Sequence, residues 1–195
     1  GIVPGPAWKR SGKVWSSPLA RWLRRRRGEA GTAGRRRGGG LITTPPTAAA
    51  AQMAAMRGME VVVLRPEGYA LPPEIMAKAR RAAESSGGSI RETADRQDAL
   101  SGAAIVYAKE WGSTAHYGDT EGDARLRGAL TEWCVRNDWF APAALDCRLM
   151  HCLPVRRNTA VADEVLDGPR SVVLREAENR LHVQMAVLYQ MLKGL

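Results

Sequence analysis

The chain has 195 residues, a formal net charge of +9 and three cysteines, Cys134, Cys147 and Cys152. That length suits one domain with an extension. There is no paired-cysteine framework, no run of eighteen apolar residues and no secretory h-region in residues 1–30. The expected setting is therefore cytoplasmic, with no membrane span and no disulfide scaffold. Only His116, His151 and His182 are available as imidazoles, and none stands at metal-ligand spacing, so no zinc site is expected.

The charge is unevenly placed. Residues 1–50 carry +10, with Glu29 their one acid, and the remaining residues carry −1. The basic excess, which taken whole would suggest nucleic acid, belongs to the leader alone. Residues 1–47 are rich in Arg, Gly and Pro, bury little and repel themselves, so they read as a disordered leader. Trp8, Trp15 and Trp22 recur every seven residues, but Pro18 and several glycines break any helical stripe. A nucleic-acid-binding arm is the lesser reading of the arginines. The favoured one is a shifted reading frame in GC-rich DNA, which would yield this composition.

From residue 48 to 195 the chain reads as one domain. Ala48 to Arg57 is a run of helix formers closed by Gly58. Glu60 to Arg65 is a continuous β-branched run, the mark of a strand buried on both faces. Pro72-Pro73 open a helix that Gly87-Gly88 stop. Ser89 to Thr93 is a short strand, Asp95 caps a small helix through Leu100, and Ala104 to Ala108 is a second buried strand. Lys109 to Gly118 is a long polar-aromatic loop. Helices are expected over Ala124 to Trp133 and from Asn137 toward Ala144, then a strand over Leu149 to Cys152, ended by Pro154. A turn or short helix over Asp163 to Asp167, a strand over Ser171 to Leu174 and a helix over Glu176 to Lys193 complete the domain. The helix carries Leu181, Met185, Leu188 and Leu192 on one face.

Strands alternating with helices predict an α/β fold, a doubly wound parallel sheet flanked by helices. Ligands of such sheets lie beyond the carboxyl ends of the strands. Lys109, Cys152, Arg156 or Arg157, and Arg180 all follow strands and are expected around one pocket. Cations and a thiol without an obvious carboxylate base suit anion binding with group transfer. Taken singly, each residue also has an ordinary reading: Cys152 as a core thiol, Lys109 as a loop lysine, Arg180 as a surface ion-pair partner and Trp111 as core. Alternation turns His151 away from Cys152, which makes it structural.

Three motifs carry a resemblance. His151-Cys152-Leu153-Pro154 followed by Arg156 resembles the signature of the aspartate/ornithine carbamoyltransferase superfamily. Glu176 to Gln184 resembles that family's final helix, and Tyr107 to Gly112 is similar to its N-acetylornithine branch. The Ser-Met-Gly loop of the ordinary ornithine enzymes is absent. The resemblance covers about Met53 to Leu195 and implies the amino-acid-binding half of a two-domain, homotrimeric enzyme. Its implied reaction is carbamoyl transfer from carbamoyl phosphate to the δ-amine of N-acetylornithine, for arginine synthesis, without metal or cofactor. Ornithine or N-succinylornithine is the alternative substrate. The family's Ser-x-Arg-Thr and His-Pro-x-Gln motifs do not occur, so the chain alone is expected to be inactive.

The resemblance also implies roles. Lys109 would pair with the substrate carboxylate, and the backbone carbonyls at Cys152 and Leu153 would hold the carbamoyl amine and the attacking amine. The Cys152 thiol would orient the nucleophile, and Arg156 and Arg180 would hold the carbamoyl oxygen. Arg157 has no such counterpart and reads as structural. Ala160 stands where the family can carry a carboxylated lysine.

Overall fold

The computed structural model describes residues 37–41, 45–109 and 119–193, all within one compact unit, Arg35–Leu195. Its elements are β1 (Arg37–Leu41), α1 (Pro45–Met56), β2 (Glu60–Leu64), α2 (Pro73–Ser86), β3 (Ser89–Thr93), α3 (Arg96–Leu100) and β4 (Ala103–Tyr107), followed by α4 (Thr120–Ala129), β5 (Arg148–Met150), α5 (Asp163–Leu166) and α6 (Val173–Lys193). The strands form one sheet in the order β3-β2-β1-β4-β5, every neighbouring pair parallel. This is the doubly wound parallel sheet that the alternation of elements predicts.

Strand β2 shows why both faces are covered. Val61 and Val63 enter one core cluster with Ala51 and Ala55 of α1 and Met76, Ala79 and Ala83 of α2. Val62 and Leu64 enter the other, with Leu100, Val106, Trp139, Phe140 and Leu149. Side chains alternate across a strand, so a run without polar residues buries itself only between two layers of helices. Leu149 carries the second core to the sheet edge, where it is fully buried.

Several elements differ from expectation. Residues 37–41 lie in the segment assigned to disorder, yet they form β1 at the centre of the sheet, paired with Glu60–Leu64 and with β4. Gly38-Gly39-Gly40 has no strand signal, because a parallel ladder needs only backbone while strand propensity reports side-chain packing. Residues 1–36, including the three tryptophans, lie outside the described residues. The helix placed at Ala124 begins instead at Thr120, where the Asp119 carboxylate accepts from the Gly122 N–H at 2.9 Å. It ends at Ala129, and Thr131–Trp133 and Asn137–Phe140 are short 3-10 turns. The strand placed at Ser171 to Leu174 is reduced to a single parallel bridge between Leu149 and Ser171. Helix α6 starts at Val173, so the strong helix formers from Leu174 onward override the Val172-Val173 pair. Strand β5 ends at Met150, two residues before Cys152.

One connection is tight enough to test. Gly87 ends α2 at φ 74°, and the Gly88 N–H donates to Ala83 at 2.9 Å. A Cβ at Gly88 would stand 2.6 Å from the Met59 carbonyl oxygen, where backbone cannot yield cheaply. Gly88→Ala is expected to lower unfolding free energy by about 1–3 kcal/mol. A urea midpoint equal to that of the parent would show that this close approach is absent.

Candidate functional site

Strands β4 and β5 deliver their carboxyl ends side by side, with Tyr107 in register with Met150. The pairing runs one step further, since the Ala108 N–H donates to Met150 at 2.9 Å. Beyond it the chain places Lys109, which is 8% exposed, against His151, which is fully buried. Cys152 is half-buried and opens onto a cleft of about 350 Å³, lined also by Glu176, Ala177, Asn179, Arg180, Val183 and Gln184. The first turns of α6 therefore form one wall, and the end of β5 forms the other.

Glu176 joins the two walls. Its Oε2 accepts the His151 backbone N–H at 2.9 Å. The Tyr107 hydroxyl lies close enough to the Glu176 carboxylate and the Cys152 thiol to interact with both. Burial raises the affinity of Glu176 for a proton, and the bonds from Tyr107 and from His151 partly oppose that. Tyr107 is held far above the usual phenol range by burial, then by the negative charges of Glu176 and Cys152. In the sequence Glu176 stands only as the first residue of the expected last helix, and no carboxylate base is evident for the site. The signal that could have found it is an acid on the first turn of a helix that starts at the ligand-binding edge of the sheet.

His151 is fixed by its own loop. Its Nδ1 accepts the Leu153 N–H at 3.0 Å, so the ring proton of the neutral form sits on Nε2. That Nε2 is buried and has no hydrogen-bond partner among the described residues. Burial, then the positive charge of Lys109, lowers the His151 pKa to about 4. Leu153 adopts φ 51°, a conformation that bulky residues avoid, and its side chain packs against the core cluster around Leu149.

The expected constellation is thus brought together in part. Cys152 and Arg180 share the cleft, and Lys109 lies near His151, outside the residues that line it. Arg156 is exposed on the loop after β5 and does not line this cleft. Arg157 is committed elsewhere: its guanidinium donates to Asp163 at 2.7 Å and to Asp167 at 2.7 and 2.9 Å. Those bonds hold both carboxyl groups below the usual range, as befits a surface clamp on α5. Ala160 is 2% exposed and packs in the core cluster around Leu149, so no acidic group stands at that position. Trp111 lies outside the described residues. Among the described residues no group of three or more His, Cys, Asp or Glu could hold a metal ion, and no helix is long and apolar enough to cross a membrane.

Comparison with known proteins identifies the family. Residues 47–191 match the family model of the aspartate/ornithine carbamoyltransferase Asp/Orn binding domain. The chain belongs to the aspartate/ornithine carbamoyltransferase family. It is 42% identical over 139 residues to an ornithine carbamoyltransferase of Clavibacter michiganensis, covering 71% of this chain and 44% of that one. An ornithine carbamoyltransferase of Methanosarcina mazei is 37% identical over 140 residues, 72% of this chain and 44% of that one. Among solved structures, an acetylornithine transcarbamylase complexed with acetylcitrulline superposes with a TM-score of 0.72 and 32% identity, over 85% of this chain and 52% of that one. The ornithine carbamoyltransferase of Pyrococcus furiosus gives a TM-score of 0.71 and 34% identity, over 80% and 49%. The chain therefore spans about half the length of the carbamoyltransferases it matches.

The buried histidine makes a pH prediction. An unfolded histidine takes up a proton near pH 6.5, whereas His151 in the fold stays neutral to about 4. Between those values the unfolded chain binds more protons, so the His151 contribution is complete above pH 6.5 and is lost as pH falls toward 4. Glu176, whose affinity for a proton is raised in the fold, acts in the opposite sense and remains in place in both proteins compared. His151→Asn keeps an acceptor for the Leu153 N–H and removes the titration. Urea unfolding from pH 7 to 4.5 is expected to show the parent losing stability relative to that variant. Parallel stability curves would contradict a buried neutral His151.

Proposed function

We propose that this chain supplies the amino-acid-binding half of a carbamoyltransferase, which transfers the carbamoyl group of carbamoyl phosphate to the δ-amine of N-acetylornithine. The observation that carries the reading is the cleft at the strand ends, which Cys152 lines together with Glu176, Asn179 and Arg180. The buried Lys109, in a Tyr-Ala-Lys-x-Trp segment, supports an acylated rather than a free amino acid as substrate. Its ammonium would take the substrate carboxylate, a charge-assisted contact in a site largely closed to water. Arg180 would face the developing charge on the carbamoyl oxygen, and the carbonyls at Cys152 and Leu153 would orient the two amines. Arg156, on the exposed loop, would join them only when the second half of the enzyme closes over the cleft. No metal takes part in this scheme. The place of the reaction is arginine synthesis in the cytoplasm.

This reading needs a phosphate-binding half as partner to the half described. The relatives are about twice as long, and helix α6 looks like a surface made for such a partner. Leu181, Val183, Met185, Leu188 and Leu192 are each more than half exposed. An apolar helix left in water is unfavourable, and the phosphate-binding half of a carbamoyltransferase is the partner that would cover it and complete the site, within a trimer. The curated relatives favour free ornithine as the second reading, since those compared are ornithine carbamoyltransferases at 37–42% identity.

Both readings meet in one assay. The chain alone is expected to form no carbamoylated product from carbamoyl phosphate with N-acetylornithine, N-succinylornithine or ornithine. Combined with a separately expressed phosphate-binding half, it is expected to favour N-acetylornithine by about tenfold or more, with Lys109→Ala removing that preference. A preference for ornithine would replace the first reading by the second. Turnover by the isolated chain would refute the half-enzyme.

A further inference from the structure

We propose that Glu176 is a positioning residue that couples the two walls of the cleft, holding Cys152 through Tyr107 and the first turns of α6 through the His151 backbone. Three observations support it. The Glu176 carboxylate accepts the His151 N–H at 2.9 Å, just beyond the last residue of β5. The Tyr107 hydroxyl, at the end of β4, contacts both that carboxylate and the Cys152 thiol. Glu176 itself lines the cleft, one turn before Asn179 and Arg180. A single side chain thus connects β4, the residues after β5 and α6, each of which supplies a different part of the site.

The alternatives for holding these parts are few. Helix α6 buries only Val173 among its residues, so packing does little to orient it. Ala160 offers no acid from the loop side. The thiol of Cys152 is half-exposed and lies near the Tyr107 hydroxyl, which also neighbours Glu176. Losing the carboxylate would leave the His151 N–H and the Tyr107 hydroxyl without their acceptor, in a region where water does not easily replace it. The role of this clamp in carbamoyl transfer rests on the function proposed above, whereas the clamp itself does not.

Alkylation of Cys152 by iodoacetamide, mapped by peptide mass on the full chain with no carbamoyl phosphate present, separates the two. Cys134 and Cys147 are buried and report on the fold in the same sample. Glu176→Gln and Tyr107→Phe are each expected to speed alkylation of Cys152 by about fivefold or more, as the thiol loses its partner, while Cys134 and Cys147 stay protected. Should Glu176→Gln loosen the whole fold, Glu176→Asp, one methylene too short to reach both partners, takes its place with the same expectation. A Cys152 rate unchanged in Tyr107→Phe, or unchanged in the Glu176 variant, overturns the proposal. So does equal exposure of all three thiols in every variant, which would make the contacts a general support of the fold.

Discussion

The hydrogen bond from the His151 amide to the Glu176 carboxylate is the contact on which the candidate site depends. The sheet ends at Met150, and α6 buries little of its own surface. Without a link between them the edge of the sheet and the helix would be two separate surfaces. The carboxylate supplies a charge-assisted acceptor in a partly dry setting, where such bonds are stronger than average and their loss leaves a polar group unsatisfied. Backbone pairing from β4 and β5 brings Tyr107 and His151 to the same place, so the bond closes a unit that the sheet has already aligned.

Around that bond the charges are sorted by environment. Lys109 and the Nε2–H of His151 are both donors and both buried, and the Nε2–H has no partner among the described residues, so this part of the site suits an acceptor such as a carboxylate. Glu176 accepts from the His151 backbone N–H. Arg157, which the sequence places next to Arg156, is drawn away by Asp163 and Asp167. Arg157 thus fastens the loop after β5 to α5.

Much of this was legible in the chain itself. The unbroken run from Val61 to Leu64 could only be a strand buried on both faces, and the alternation of such runs with capped helices set the class of sheet. The His-Cys-Leu-Pro stretch and the Glu-Ala-Glu-Asn-Arg helix marked the two walls of the cleft. What was hidden had physical reasons. The triple glycine of β1 pairs through backbone alone and carries no side-chain pattern. The start of α6 was masked by two valines that prefer strands. Glu176 showed no motif spacing to Tyr107 or Cys152, because the contact is made across three elements by the sheet register.

Amide hydrogen exchange at His151 tests the central contact most directly. With Glu176 in place, the His151 N–H is expected to be protected about as well as that of Leu149, which sits in the backbone ladder. In Glu176→Ala the same amide is expected to exchange at least about tenfold faster, with Leu149 unchanged. A His151 amide that exchanges freely in the parent, or that keeps its protection in the variant, would contradict the link between strand and helix.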